Sequence, residues 1–267
     1  MFAFSGSGRL FLKEGYSAEV MRLIYDQDET DYAFLDRVFL GYPLHRAVYD
    51  RLQILTRMIE QEVGTRLNGG RHVRVLTAPS GFAYDLFRPL GAIASRTPWL
   101  IQKVEIIAAD LDPRASLADQ LVRRAARLGI RFRFVRGDIT SEEMQDNLKK
   151  TAPYDLGLFI GLSSWLPKPY TVRHLRWLRE NLREDGLLVT DCFTPEAYAV
   201  SGRLAGYKAQ YYAPQSYQVL LDYCGFDGIG AVVESGRDHI NHVLMASPRA
   251  LEQEENRGFL PTQRVRK

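Results

Sequence analysis

The stretch VRVLTAPSGFAYDLFRPL (Val73–Leu90) decides how this chain folds. Its first four residues suit a short buried strand, and its last eight suit the first turns of a helix. Between them lies TAPSG (Thr77–Gly81), a run of small residues with one glycine. Such a turn brings backbone N–H groups close to a ligand at the open N-terminus of a helix. We therefore expect Thr77–Ala83 to form the floor of a site for a nucleotide-like cofactor.

Composition indicates an ordinary globular protein. The chain has 267 residues, of which 46% are hydrophobic and 25% charged, so it can hold one sizeable α/β domain and an accessory segment. The formal net charge of +3 is mild, and nucleic acid is not an expected partner. No run approaches the ~18 apolar residues of a membrane span and no secretory signal is evident, so we expect a cytoplasmic protein. Cys192 and Cys224 are expected to be reduced core thiols.

Residues 1–70 are interpreted as an N-terminal helical cap. After an irregular start over residues 1–15, apolar residues recur at steps of three and four in the longest helical piece, namely Val48, Leu52, Leu55, Ile59 and Val63. The sequence NGG at 68–70 ends that helix. Two interpretations stay open. The segment lies partly over the mouth of the following domain, or it is a packing appendage with no role at a site.

Strand and helix patterns alternate over residues 71–250. Apolar runs predict strands at 104–109, 131–136, 154–160, 187–190, 228–234 and 243–247, in addition to the one at Val73. Helical patterns separate most of them. This order predicts a Rossmann-like α/β fold, with a mostly parallel seven-stranded sheet, helices on both faces and a ligand crevice at the carboxyl ends of the strands. Residues 251–267 form a charged tail, which we expect to be loosely ordered.

Acidic residues follow two of these strands. Asp110 stands at the tip of the second strand, where a carboxylate can accept two hydrogen bonds from a ribose diol. Asp138 follows the third strand, where it can accept a hydrogen bond from an exocyclic amine such as that of adenine. Asp138 can equally serve the turn itself, because aspartate and glycine are common turn residues.

The order of these signals resembles the class I S-adenosylmethionine-dependent methyltransferases. The resemblance covers about residues 73–247 and rests on VLTAPSGFA (75–83), VEIIAADLDP (104–113), FVRGDI (134–139), YDLGLFIGLSSWLP (154–167) and LREDGLLVTDCF (182–193). It implies S-adenosyl-L-methionine (SAM) as cofactor and methyl transfer as activity. LDRVFLGYPLHRAVYDRL (35–52) together with GLSSWLP is also similar to methyltransferases that esterify 3-hydroxy fatty acids, although the connection over 195–213 departs from them.

This resemblance implies a role for each strand end. The turn after the first strand would face the methionine half of SAM, the second-strand acid the ribose, the third-strand acid the adenine, and the tip after the fourth strand the acceptor. The implied cofactor residues are Ala78, Pro79, Ser80, Gly81, Asp110, Leu111, Asp138, Ile139 and Gly161. The implied acceptor residues are Ser163, Ser164 and Trp165, with Arg203 or Arg37 as a clamp for a carboxylate.

The glycine turn departs from the family pattern of an acid followed by three alternating glycines. Thr77 stands in the acid position, and Pro79, Gly81 and Ala83 stand in the glycine positions. A methionine cofactor has no pyrophosphate and needs no donor-rich nest, so the turn favours a methyl donor over a nicotinamide cofactor. The departure also leaves open that cofactor binding is weakened or lost.

No residue is singled out as the catalytic base. Methyl transfer is an in-line displacement that depends on positioning, and only a hydroxyl or amine acceptor calls for a base. The candidates are His174, Asp191, Tyr211 and Tyr212, although a histidine on a helix face more often packs than catalyses. His239 and His242, three residues apart beside a strand, would point to opposite faces, so we expect no metal site.

Three functional hypotheses follow. The first is O-directed methyl transfer to a small molecule, whose acceptor group is a carboxylate or a hydroxyl. The second is an RNA- or protein-directed methyltransferase, with the basic helix at 113–128 or the tail as its contact surface. The third is a Rossmann-like oxidoreductase or nucleotide-binding module, which would prefer a Gly-x-Gly-x-x-Gly turn that this chain lacks. The sequence leaves the oligomeric state open.

Overall fold

The computed structural model describes residues 5–15, 17–27, 32–112, 114–198 and 209–249. In the described part of the chain, four helices precede the sheet, namely α1 (Gly6–Glu14), α2 (Ala18–Tyr25), α3 (Phe34–Leu40) and α4 (Pro43–Asn68). The expectation of an irregular start over residues 1–15 is wrong, because α1 lies there. The Ser5 hydroxyl caps this helix by accepting a hydrogen bond of 2.8 Å from the Gly8 N–H, which compensates for its two glycines.

The rest of the described chain alternates strands and helices. These are β1 (Val73–Thr77), α5 (Tyr84–Arg96), α6 (Pro98–Ile101), β2 (Val104–Asp110), α7 (Ala115–Leu128), β3 (Arg131–Arg136), α8 (Glu142–Lys149), β4 (Tyr154–Phe159), α9 (Lys168–Asn181), β5 (Leu182–Phe193), α10 (Pro195–Ala197), α11 (Pro214–Tyr223), β6 (Val232–Ser235) and β7 (Asn241–Ala246). The strands form one seven-stranded sheet in the order β3-β2-β1-β4-β5-β7-β6. The predicted mostly parallel sheet is confirmed, with β7 antiparallel to both of its neighbours.

Several predicted strand boundaries are wrong, and the largest shifts are at β6, which begins at Val232 and not at 228, and at β5. The sequence predicts a turn at 183–186 before a strand at 187–190, whereas β5 begins directly after α9, at Leu182. Leu182 pairs with Tyr154 of β4, and the register shifts before the next pair, Leu187 with Leu156. Pairing with the neighbouring strand thus extends β5 through residues whose local preference is for a turn.

Helices cover both faces of the sheet, as predicted. Alternate residues of the central strands point to opposite faces, so Val75 and Ile106 pack in one hydrophobic cluster and Leu76 and Ile107 in another. The first cluster contains residues of α4, α5 and α7, and the second contains residues of α8, α9 and α11. The five apolar positions of α4 named above are all buried in the first cluster. The N-terminal helices therefore share a hydrophobic core with one face of the sheet.

Two smaller expectations concern the cysteines and the membrane. Cys192 and Cys224 are both buried and free, and burial raises the pKa of the Cys224 thiol to about 11. Both are therefore core thiols, as predicted.

Among the described residues, no helix combines the length and the apolar character that crossing a membrane requires.

Candidate cofactor site

The turn after β1 is tied to the end of β2. The Ser80 N–H donates a hydrogen bond of 2.8 Å to the Ala109 carbonyl, and the Gly81 N–H donates one of 2.7 Å to the Asp110 carboxylate. Gly81 has φ of +45° and Ala83 has φ of +49°, a left-handed conformation that glycine adopts freely and alanine rarely. Because α5 begins at Tyr84, the turn lies at the open N-terminus of this helix.

Asp110 organises the neighbouring backbone and keeps free acceptor capacity. One carboxylate oxygen accepts the Gly81 N–H, and the other accepts the Asp112 N–H at 2.9 Å. A carboxylate has about four lone-pair positions, so roughly two remain for a ligand. Asp110 is partly exposed and lines a cavity. Its carboxylate can therefore hold the turn and accept hydrogen bonds from a diol at the same time.

A cavity of about 1040 Å3 opens at the carboxyl ends of the strands. Residues 79–85 after β1, residues 110–112 after β2 and residues 160–162 after β4 form one wall. The opposite wall belongs to the N-terminal helices and includes Met21 and Arg51. This volume is at the upper end of the range of about 300–1,000 Å3 that small-molecule sites occupy. The described residues thus enclose room for a cofactor together with a small acceptor.

Most of the predicted cofactor residues meet in this cavity. Those that line it are Pro79, Ser80, Gly81, Asp110, Leu111 and Gly161. Gly161 has φ of +76°, and a Cβ atom on it would come within 3.4 Å of the Arg51 guanidinium, so glycine suits this close approach. Ala78 and Ile139 are instead buried in the hydrophobic cluster on the α9 side of the sheet.

Asp138 is not brought to the cavity lining. Its carboxylate accepts hydrogen bonds of 2.8 Å from both the backbone N–H and the hydroxyl of Thr140, and the residue is exposed. The sequence leaves two roles open for Asp138, namely binding adenine and stabilising its own turn. This geometry corresponds to the second role.

The predicted acceptor residues are divided between the cavity and the core. Trp165 lines the cavity. Ser163 and Ser164 are buried, where the Ser163 hydroxyl donates to the Asp191 carbonyl and the Ser164 hydroxyl accepts a long hydrogen bond of 3.4 Å from the Phe193 N–H. Arg203 lies outside the described residues.

His174, a candidate base, is completely buried on α9. Its ring lies between Phe159, with ring centroids 4.8 Å apart, and Trp177, at 5.9 Å. Desolvation lowers the pKa of His174 to about 4, so the ring is neutral near pH 7. It does not line the cavity, and its position is that of a core residue.

The two tyrosine candidates, Tyr211 and Tyr212, also lie away from the cavity lining. Tyr211 packs edge-on against the Tyr198 ring, and Tyr212 packs against the buried Tyr217 ring. Burial raises the pKa of both Tyr211 and Tyr212, which keeps both phenols protonated near neutral pH and leaves little phenolate to act as a base. The structure brings none of these side chains to the described wall.

Asp191, the fourth candidate, belongs to a buried polar cluster. Its carboxylate accepts hydrogen bonds from the Arg51 guanidinium at 2.8 Å, the Gly161 N–H at 2.6 Å and the Asn241 amide at 2.9 Å. Arg51 also donates a hydrogen bond of 2.7 Å to the Tyr25 hydroxyl. Both Asp191 oxygens are occupied, which fits a role in positioning the tips of β4 and β5 beneath the cavity.

Sequence reasoning missed Arg51 and Asp85. Arg51 falls within the apolar stripe of α4, three residues after Val48, and a charged residue on a buried helix face is a signal that could have identified it. Asp85 lies in the first turn of α5 and faces the cavity. Desolvation raises the pKa of Asp85 to about 6, while the Arg51 charge and backbone N–H groups at 85 and 86 oppose the shift.

Two further expectations differ from the structure. Arg37 donates to the Tyr32 carbonyl and does not line the cavity. The rings of His239 and His242 stack 6.5 Å apart, whereas opposite faces were expected. His239 precedes β7 and has φ of +52°, so the alternation of a strand does not apply to it.

Comparison with known proteins extends the description of the fold. No family model and no curated protein matches the chain. Among solved structures, a possible exported protein from Bordetella parapertussis is 22% identical, with a TM-score of 0.74 over 93% of this chain and 85% of that one. Magnesium protoporphyrin IX methyltransferase from Synechocystis PCC 6803 with bound SAH is 13% identical, with a TM-score of 0.59 over 90% and 96% of the two chains.

A third similar structure is an O-methyltransferase family protein from Burkholderia thailandensis. It is 10% identical, with a TM-score of 0.52 over 85% of this chain and 64% of that one. At these identities the similarity concerns the fold alone. The chain has the fold that SAM-dependent methyltransferases adopt, and a fold alone does not determine what a protein binds.

Proposed function

We propose that this protein transfers a methyl group from SAM to a small-molecule acceptor, at an oxygen atom by preference. The observation that carries this proposal is the convergence of three strand ends on one cavity. These are the Gly81 turn after β1, Asp110 at the end of β2 and Gly161 after β4. Ligands of open α/β sheets bind at this edge of the sheet, where the strand order reverses between β1 and β4.

The residues present fit the adenosyl part of SAM. The two unused acceptor positions of Asp110 suit the ribose hydroxyls, and the exposed Leu111 side chain next to it offers an apolar surface for a base. Ser80 and Gly81 approach from the turn, and Gly161 leaves space without a side chain. Asp138 takes no part in this proposal, because its carboxylate bonds within its own turn.

Catalysis in this proposal depends on positioning. SAM, when bound, supplies an electrophilic methyl group. The chain's part is to hold the acceptor atom in line with that methyl group and to exclude water, which accounts for a large share of such accelerations. The N-terminal helices suit the second task, because Tyr25, Met21 and Arg51 close the cavity on the side away from the sheet.

Hydrogen bonds attach the N-terminal helices to α5, which supports their role as a cap. The Tyr84 hydroxyl donates to the Asp26 carboxylate at 2.8 Å, and Arg88 donates to the Tyr25 carbonyl at 2.7 Å. Arg114, after β2, lies 3.8 Å from the carboxylates of both Glu14 and Glu19. The cavity is thereby enclosed from the sheet side and from the helical side.

The alternative functions have weaker support. A nicotinamide dinucleotide would place its pyrophosphate at the turn after β1, and this turn lacks the Gly-x-Gly-x-x-Gly pattern that brings backbone N–H groups to a pyrophosphate. An RNA-directed enzyme would use the basic face of α7, but Arg124 of that face is bound to Phe82 and Tyr84. The narrower similarity to enzymes that esterify 3-hydroxy fatty acids and the cytoplasmic location stay predictions.

Calorimetry tests the proposal. We expect SAM and its demethylated product S-adenosylhomocysteine (SAH) to bind and NAD not to bind. Asp110→Ala should weaken SAH binding by ~1–3 kcal/mol, the scale for stranding a polar partner. Because Asp110 also holds the turn, the thermal unfolding of the variant is recorded alongside. Binding of NAD in place of SAH, or full SAH affinity in the Asp110→Ala protein, would contradict the proposal.

A further inference from the structure

The wall of the cavity formed by the N-terminal helices and by the ends of β4 and β5 contains an apolar patch, although the charged residues Glu14, Arg22 and Arg51 also line this wall. Met21 and Val48 line it from the helices, and Ile160, Leu162 and Phe193 line it from the strands. In the proposed function the cofactor occupies the turn after β1 and the end of β2, so this wall is left for the acceptor. The apolar patch suits an acceptor with an apolar body.

Each arginine in the described lining is paired with a carboxylate. Arg51 is paired with the buried Asp191, at 2.8 Å. Arg22 is paired with Glu19, also at 2.8 Å, and Arg114 with Asp112. The described part of the lining therefore offers no unpaired cation that could replace the hydration shell of an acceptor carboxylate, a loss that is costly when uncompensated.

Asp85 faces the same cavity without a counter-ion among the described residues. Its neighbour Arg51 already forms an ion pair with Asp191, and the Asp191 charge acts against that of Arg51 at Asp85. Desolvation dominates the surroundings of Asp85, and its pKa rises to about 6. Above that pH the cavity contains a carboxylate that repels anions and accepts hydrogen bonds.

We infer that the acceptor is an uncharged, largely apolar alcohol or phenol, and that Asp85 selects for it against anionic analogues. This inference rests on the proposed function and makes it more specific. A hydroxyl can donate a hydrogen bond to Asp85 while the body of the molecule contacts the apolar patch. A carboxylate of the same size would be desolvated next to Asp85, and no unpaired cation in the described lining would balance its charge.

A matched pair of probes tests this inference without knowledge of the natural acceptor. The affinities of 2-naphthol and 2-naphthoate are measured by fluorescence, at about pH 8 and with SAH at saturation, so that Asp85 is ionised. We expect naphthol to bind at least ~10-fold more tightly than naphthoate, and Asp85→Asn to reduce this ratio several-fold. Asp146→Asn, a substitution of an exposed acid on α8, is the matched control and should leave the ratio unchanged.

The outcomes separate this inference from the proposed function. If SAH does not bind, the proposed function itself fails. If SAH binds but naphthoate binds as tightly as naphthol, the selection of an uncharged acceptor is wrong. If the wild type prefers naphthoate and Arg203→Ala removes that preference, Arg203 is the carboxylate clamp expected from the sequence, and the inference is overturned. If the ratio of naphthol to naphthoate affinity is the same in Asp85→Asn as in the wild type, Asp85 does not select between the two probes, and the inference fails.

Discussion

The Arg51 guanidinium donates a hydrogen bond of 2.8 Å to the Asp191 carboxylate, and both side chains are almost completely buried. This pair joins α4 of the N-terminal helices to the end of β5 in the sheet. The same carboxylate holds the Gly161 N–H at the tip of β4. One buried ion pair therefore positions the tips of β4 and β5 relative to the helices that cover the cavity.

Removing one member of this pair should destabilise the protein strongly. Arg51→Met or Asp191→Asn leaves the partner charge buried and uncompensated, so we expect the free energy of unfolding to fall by about 3–5 kcal/mol in each. The double variant should lose less than the sum of the two, because neither member of the pair is left as an uncompensated charge. Urea unfolding of the four proteins measures the coupling. Additive losses would show that the two charges do not depend on each other.

Two glycine substitutions should have opposite effects. Gly161 is left-handed at the cavity floor, so Gly161→Ala should lower the free energy of unfolding by ~1 kcal/mol or more. Gly64 lies inside α4, and a Cβ atom there meets nothing within 4 Å, so Gly64→Ala should raise it by about 0.5–1 kcal/mol. Thermal unfolding compares the two variants. A stabilised Gly161→Ala protein would contradict the described backbone.

His174 should make the fold sensitive to acid. The pKa of His174 is about 4 in the folded protein against 6.5 for an ordinary histidine, so between these values the unfolded state binds more protons and stability falls as pH falls. Over the whole window, the lowered pKa of His174 should reduce the free energy of unfolding by ~3 kcal/mol. His174→Gln should therefore flatten the dependence of the free energy of unfolding on pH over this window.

Two controls accompany the His174 measurement. Replacing the exposed His72 by glutamine should leave the slope unchanged. Two other groups affect the slope. The pKa of the buried His45 is also lowered to about 4, and the raised pKa of Asp85 acts in the opposite direction. Both groups are present in the wild type and in His174→Gln, so their effects cancel when the two proteins are compared. Equal slopes for the wild type and His174→Gln would refute the neutral buried state of His174.

Asp138 provides a test of the site boundary. The structure uses its carboxylate within the turn and leaves it exposed, so Asp138→Asn should change the dissociation constant of SAH less than ~2-fold. Calorimetry alongside Asp110→Ala gives the comparison. A loss of ~10-fold or more would return Asp138 to the adenine role expected from the sequence.

The sequence predicted the fold well because its signals are local and repeated. Runs such as VEIIAA at 104–109 and the apolar stripe of α4 carry the period of their element, and the glycine turn follows the first strand. The start of β5 was predicted too late, because only pairing of Leu182 with Tyr154 makes that segment a strand. Propensity within one segment cannot show such a partner.

The site was predicted in part for the same reason. Strand-end residues such as Gly81 and Asp110 meet because parallel strands end at one edge, which sequence order reveals. The role of Arg51 depends on Asp191, 140 positions later in the chain, and no local pattern connects the two. The burial of His174 depends likewise on how α9 packs on the sheet. Contacts between distant segments were therefore the part that sequence patterns could not supply.

A crystal structure of the protein with SAH would show directly whether Asp110 holds the cofactor. We expect the ribose hydroxyls within hydrogen-bonding distance, about 2.5–3.0 Å, of the Asp110 carboxylate, with the Gly81 turn and Gly161 against the same molecule. SAH bound elsewhere, or a ribose that does not contact Asp110, would contradict the proposed cofactor site.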